Sequence, residues 1–265
     1  MNESTDLDLS QCSISWRNYS QLLQRLDIPA LDLREFMLPP FSTHQLRPVL
    51  LERGIYPARD FPDLIERRLP DVFVTYDWRE NILAVRSTVG LAIQHCLTFQ
   101  ASRFPHADLE SVCDDGVTFW LDWIFLDQSS RDVDRELDQI LPPLFNDGTV
   151  HVVASTTALS RAWCCYELAQ FNRHAAEIPG ANVTSLIPGD LQAYPLWAGV
   201  ASTDPADKVR VEKRIVELFP DGLHALEHLM VQAGVAADMR GIGSAALERV
   251  LAASARWIAR FEDRQ

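Results

Sequence analysis

Hydrophobic positions along the chain change their period several times, and the changes divide it into three stretches. Up to residue 68, apolar residues recur at helical spacing in short bursts, "WRNYSQLLQRLD", "THQLRPVLLERG" and "FPDLIERRLP", separated by proline-bearing breaks such as "FMLPPF". This predicts a small helical N-terminal arm over residues 1–68. At residue 71 the pattern switches to "DVFVTYDW", a β-branched and aromatic run bounded by Pro70, as expected of a strand buried in a parallel sheet. A helical stretch, "ENILAVRSTVGLAIQHCLTF", leads to a second strand-like run, "VTFWLDWIFL".

The segment "DQSSRDVDRELDQILPPLF" predicts a helix with Ser129 and Asp132 at its start and an end near Pro142. "TVHVVAS" is a third strand, "TTALSRAWCCYELAQFNRHAAEI" a third helix with Ser155 and Thr156 as its caps, and "ANVTSLIPG" a fourth strand. Strands alternating with helices predict an α/β fold over residues 69–200, a parallel sheet with helices on both faces. From residue 201 to 265 the pattern is helical. "TDPADKVRVEKRIVEL" opens with Asp204 as N-cap, Pro205 in the first turn and Asp207 as a capping carboxylate, and "GLHALEHLMVQAG" and "SAALERVLAASARWIARF" follow. This extension is expected to pack on the sheet domain.

Composition narrows the function classes. A chain of 265 residues with a formal charge of −13 repels phosphate backbones, and no basic cluster offsets that charge, so neither nucleic-acid nor anionic-membrane binding is expected. Charges interrupt every apolar run well short of a membrane span, and the acidic opening "MNESTDLDLS" lacks a basic flank before an apolar core; the expected location is cytoplasmic. Five cysteines, Cys12, Cys96, Cys113, Cys164 and Cys165, show no CxxC spacing and are expected to be small buried side chains without disulfide or zinc. His95 and His174 lie within helices and have no ligand partners at metal-binding spacing. No metal is expected.

Ligands of open parallel sheets collect at the carboxyl ends of the strands. The residues leaving the first three strands are Tyr76, Asp77, Trp78 and Arg79; Asp122, Trp123 and Asp127; and Ser155 with Thr156. Each also has a plainer reading: Tyr76 and Trp78 as packing, Asp122 as a turn or cap, Ser155 and Thr156 as helix caps. Neither GxGxxG nor GxxxxGK[ST] occurs, so a dinucleotide fingerprint and a P-loop are not expected. On the third helix, Trp163 and Glu167 are four residues apart and share a face, which sets an aromatic side chain near a carboxylate. The plainer alternative is a core tryptophan and a surface glutamate.

Three segments taken in order resemble a TIR (Toll/interleukin-1 receptor) domain. "DVFVTYDW" is similar to that family's opening strand, "VTFWLDWIFLDQSSRDVDREL" to its second strand, following loop and helix, and "ALSRAWCCYEL" to its Ser-x-x-Trp-Cys-x-x-Glu-Leu helix. The resemblance covers about residues 71–190 and implies a TIR/flavodoxin-like fold. The chain departs from the pattern in a longer connection between the first two strands and in a loop after Asp122 that has no glycine.

Enzymatic members of that family cleave the nicotinamide–ribose bond of NAD with a glutamate of this helix. The resemblance therefore implies Glu167 as catalytic residue, NAD as substrate with no further cofactor, and activity that depends on self-association in a signalling or defence response. One carboxylate suffices for such chemistry: nicotinamide leaves a pyridinium as a neutral base without protonation, and a fixed negative charge stabilises the ribosyl cation that remains. Trp163, Tyr76, Asp77, Trp78, Asp122 and Ser155 are the expected substrate contacts. Two alternatives stand beside this reading: a noncatalytic interaction module acting by homotypic assembly, and a ribosyl hydrolase or transferase acting on another nucleotide.

Overall fold

The computed structural model describes residues 8–26, 43–79, 118–126, 133–145, 149–153, 157–177, 185–186 and 197–227. In chain order the elements are β1 (Ile14–Ser15), α1 (Trp16–Arg25), α2 (Thr43–Arg53), α3 (Pro57–Asp60), β2 (Val72–Thr75), β3 (Thr118–Trp120), α4 (Asp122–Phe125), α5 (Val133–Leu144), β4 (Val150–Val153), α6 (Ala162–Glu177), β5 (Ser185–Leu186) and α7 (Pro205–Leu218). Helix and strand are mixed around a sheet of order β1-β3-β2-β4-β5. β2 runs parallel to β3 and β4, and β4 parallel to β5, whereas β1 lies antiparallel on β3. The helix expected over residues 80–99 and the stretch beyond 227 lie outside the described residues.

β2 is buried at all four positions and β3 at all three. Successive strand residues point to opposite faces, so both faces of these two strands are covered. On one face Phe73 stacks on Trp120, with ring centroids 5.2 Å apart, and meets the edge of Phe145 at 4.8 Å. His151 is the register partner of Phe73 across β4 and lies on the same face, where Phe171 of α6 covers it at 4.7 Å. On the other face Phe119 packs against Trp16 and Tyr19 of α1.

The N-terminal residues are built into this body. β1 extends the sheet, with Ile14 opposite Phe119, and Ser13 and Glu66 exchange two backbone hydrogen bonds at 2.9 Å. α2 carries Pro48 within it and ends where Gly54 takes φ +64. There Ile55 N–H returns to the Leu50 carbonyl and Gly54 N–H to Leu51, so a left-handed glycine closes the helix by satisfying carbonyls its own ladder leaves open.

Two expectations are corrected. The second strand stops at Trp120; the chain then turns into α4, whose start is marked by Asp122 accepting the Trp123 N–H at 2.7 Å. α5 ends at Leu144, near Pro142 as expected, with Pro142 and Pro143 in its last turn and the Phe145 N–H bonded to the Leu141 carbonyl at 3.1 Å. The third helix, α6, begins later than its hydrophobic pattern, at Ala162 after a 3-10 turn over Ala158–Ser160, and its expected caps Ser155 and Thr156 lie outside the described residues. Its first N–H is met by a bridge to the segment before α7: Ala162 N–H donates to Ala201 O at 3.0 Å, and Ala201 N–H in turn donates to Ser160 O at 2.8 Å. Asp204 caps α7 as expected, accepting from Ala206 N–H at 2.9 Å.

Candidate functional site

α6 is enclosed on nearly every side: Cys164, Cys165, Tyr166, Leu168, Ala169 and Phe171 are all buried. It lies on the Phe73/His151 face with its N-terminus toward the carboxyl ends of the strands. Phe171 rests on His151, and Glu167, one turn earlier, comes to Thr75 at the end of β2. A further turn back, the Cys164 thiol donates to the Tyr76 carbonyl at 3.2 Å. Helical spacing thus carries the chain from core packing to a carboxylate at the strand ends.

Glu167 is only 7% exposed. The Thr75 hydroxyl donates to its Oε2 at 2.5 Å, and Thr75 also meets His151 Nε2 at 2.8 Å. Burial first, and the negative charge of Asp122 second, push the Glu167 carboxyl up to about 8, against the opposing bond from Thr75. A carboxyl in this setting is neutral in mildly acidic solution and ionises when a cation arrives. Burial alone depresses His151 to about 3, so its imidazole is neutral across the physiological range.

Beside it Asp122 joins the ends of β2 and β3. It accepts Tyr76 O–H at 3.0 Å and Trp78 Nε1–H at 2.5 Å, while Tyr76 also meets the Thr43 hydroxyl at 3.1 Å. The Arg47 guanidinium lies 5.7 Å from the centre of the Trp78 ring. Burial raises Asp122 to about 6, although these bonds and the Arg47 charge pull it down. Desolvation and the adjacent Asp122 charge hold the Tyr76 phenol well above its usual range.

The expected site residues therefore separate into groups. Tyr76, Trp78 and Asp122 form one hydrogen-bonded cluster, and Glu167 is electrostatically coupled to it. Asp77, 2% exposed, turns to the Arg79 guanidinium, with Arg161 Nε 3.7 Å away. Trp163 is half-buried and directs its indole N–H to Asp207 of α7 at 3.4 Å. Asp207 also pairs with Arg210, so it does not serve the capping role expected of it. Ser155 lies outside the described residues.

Cys12, Cys164 and Cys165 are free and buried. Burial raises Cys12 to about 11; burial together with the Glu167 charge raises Cys165 to about 12, so neither is a thiolate nucleophile near neutrality. Thr75 and His151 are site residues that sequence reasoning missed. Their signal is a single polar side chain inside each of two otherwise apolar strands, "VFVT" and "VHVV".

From β2 the chain moves outward to β3 and then returns to the opposite side of β2 to form β4. The direction of winding reverses between β2 and β4, and it is at the ends of this strand pair that Thr75 holds Glu167. Among the described residues no group of three or more His, Cys, Asp or Glu is placed to hold a metal ion, and no helix is long and apolar enough to cross a membrane. The chain matches no family model, no curated protein and no solved structure.

Proposed function

We propose that the protein is a TIR-like NAD glycohydrolase or cyclase, with Glu167 as the carboxylate that stabilises the ribosyl cation as nicotinamide leaves. The observation that carries the reading is the position of Glu167: a buried carboxyl fixed by Thr75 at the carboxyl ends of two parallel strands where the winding reverses. The order β3-β2-β4-β5, all parallel, supports the flavodoxin-like arrangement with helices on both faces that the motifs imply.

The electrostatics suit a cationic substrate. A pyridinium about 4 Å from the carboxyl, at an effective dielectric of about 20, contributes about 4 kcal/mol, or about three pKa units. That is enough to ionise Glu167 at neutral pH when the oxidised nicotinamide ring is bound. Its negative charge then lies where positive charge develops on the ribose, in surroundings of low polarity that strengthen the attraction. Tyr76, Trp78 and Asp122 form the adjoining wall, with polar atoms for the ribose and aromatic surface for a ring.

The products are nicotinamide and ADP-ribose or a cyclised isomer of it. Incubating the full chain with NAD and following nicotinamide release over a wide range of protein concentration tests both activity and the self-association that the family resemblance implies. Release that rises more than linearly with concentration supports both. A protein that self-associates yet releases no nicotinamide is instead an interaction module in which Glu167 is structural, the alternative that its burial favours.

A further inference from the structure

The position of Glu167 depends on two residues that its own helix does not supply. Thr75 is the only polar residue of β2 and His151 the only titratable residue of β4; they are 1% and 0% exposed. A hydroxyl has one proton to give. With the Thr75 proton directed to Glu167 Oε2 at 2.5 Å, the Thr75 oxygen meets His151 Nε2 at 2.8 Å as an acceptor, so Nε2 carries the hydrogen and Nδ1 the lone pair. The environment of the ring favours the same direction. Nδ1 has no protein hydrogen-bond partner among the described residues, and Phe73, Phe145 and Phe171 surround the imidazole at centroid distances of 5.4, 6.0 and 4.7 Å. Reversing the chain would place an unpaired N–H among those rings, a costlier arrangement than a bare lone pair.

We propose that Thr75 and His151 are positioning residues for Glu167: His151 Nε2–H fixes the Thr75 hydroxyl, whose proton fixes one carboxylate oxygen and leaves the other for substrate. This rests on the reading of Glu167 as the reacting carboxylate. Neither residue touches substrate; each acts through the next. The arrangement keeps the carboxylate aimed without placing a permanent positive charge beside it, which would compete with a cationic ligand.

The test uses the full chain with nitrogen-labelled histidine and carbon-labelled glutamate carboxyl groups, as wild type and as the variants Thr75→Val, Thr75→Ser, His151→Leu and His151→Gln. Nicotinamide release from NAD is measured against pH alongside the NMR titration of Glu167. In the wild type His151 is expected as the neutral Nε2–H tautomer. Thr75→Val is expected to raise the Glu167 titration midpoint, shift the pH–rate profile upward and lower release about tenfold. Thr75→Ser should recover most of that loss. His151→Gln, whose amide N–H reaches toward the place of Nε2–H, should outperform His151→Leu, and this pair gives the same comparison where Thr75→Val does not fold. An Nδ1–H tautomer, or a midpoint and profile unmoved by these changes in an active protein, overturns the positioning role. A wild type with the expected tautomer but no nicotinamide release overturns the enzymatic reading of Glu167 instead, and the positioning role with it.

Discussion

The charge of Asp122, at the start of α4, adds to burial in holding the Glu167 carboxyl of α6 protonated up to about pH 8. If the ionised form is the reactive one, kcat/KM should rise with pH through that region, because it reports the free protein. The kcat limb should lie lower, since a bound pyridinium favours the carboxylate. Asp122→Asn removes the charge and keeps one acceptor oxygen, enough for the Tyr76 and Trp123 hydrogens on one side or the Trp78 hydrogen on the other but not for both, and should move the kcat/KM limb to lower pH. A limb that stays in place in a folded variant would show that the two carboxyl groups act independently.

Tyr19 tests whether the N-terminal residues belong to the same core. Its ring is fully buried and lies 5.4 Å from Phe119 of β3 and 6.1 Å from Trp123 of α4, both in edge-on geometry. Tyr19→Ala should cost about 3–5 kcal/mol in chemical denaturation. A loss below about 1 kcal/mol would mean that the sheet domain stands without α1.

Which features were legible in the sequence follows from how each is stabilised. β2 and β4 were legible because central strands need continuous apolar runs, and "VFV" and "VHVV" are such runs. β1 was not. A two-residue edge strand has no period, and only its pairing with Phe119, remote in sequence, defines it. The end of β3 was hidden because "LDWIFL" suits a buried helix as well as a strand, and the bonds of Asp122 to Tyr76 and Trp78 form only after folding. Glu167 stood out by its motif as a candidate, whereas its burial against Thr75 follows from which strand α6 covers. Thr75 and His151 were absorbed into the apolar runs around them, and the meaning of a lone polar residue there depends on which helix covers the strand.

Trp163 illustrates the limit of spacing arguments. It shares a helix face with Glu167, yet its N–H goes to Asp207 of α7 and its ring meets Tyr166 edge-on at 6.0 Å. Trp163→Ala should therefore lower stability by about 2–3 kcal/mol while changing KM for NAD less than about threefold. Trp163→Phe should recover most of the stability. A large rise in KM for both variants at unchanged stability would instead assign the indole to substrate.

Glu167→Gln should move activity and stability in opposite directions. The substitution keeps size and an acceptor for Thr75 but cannot become negative, so nicotinamide release should fall about a hundredfold or more, a barrier increase of about 2.7 kcal/mol. For stability, the folded carboxyl titrates near 8 against an ordinary value of 4.5. The raised value contributes stability that is fully present below pH 4.5 and is lost as pH rises through about 8, because the unfolded chain releases the proton first. Glutamine carries no such dependence. The variant should gain relative to wild type with rising pH, on the order of 4–5 kcal/mol by pH 8 at about 1.4 kcal/mol per pKa unit, and show little gain near pH 4.5. Thermal unfolding of both proteins across this range measures the difference. A variant destabilised equally at every pH would point to a structural carboxyl, whereas an inactive variant more stable at pH 8 than the wild type is the signature of a buried charge kept for chemistry at the expense of the fold.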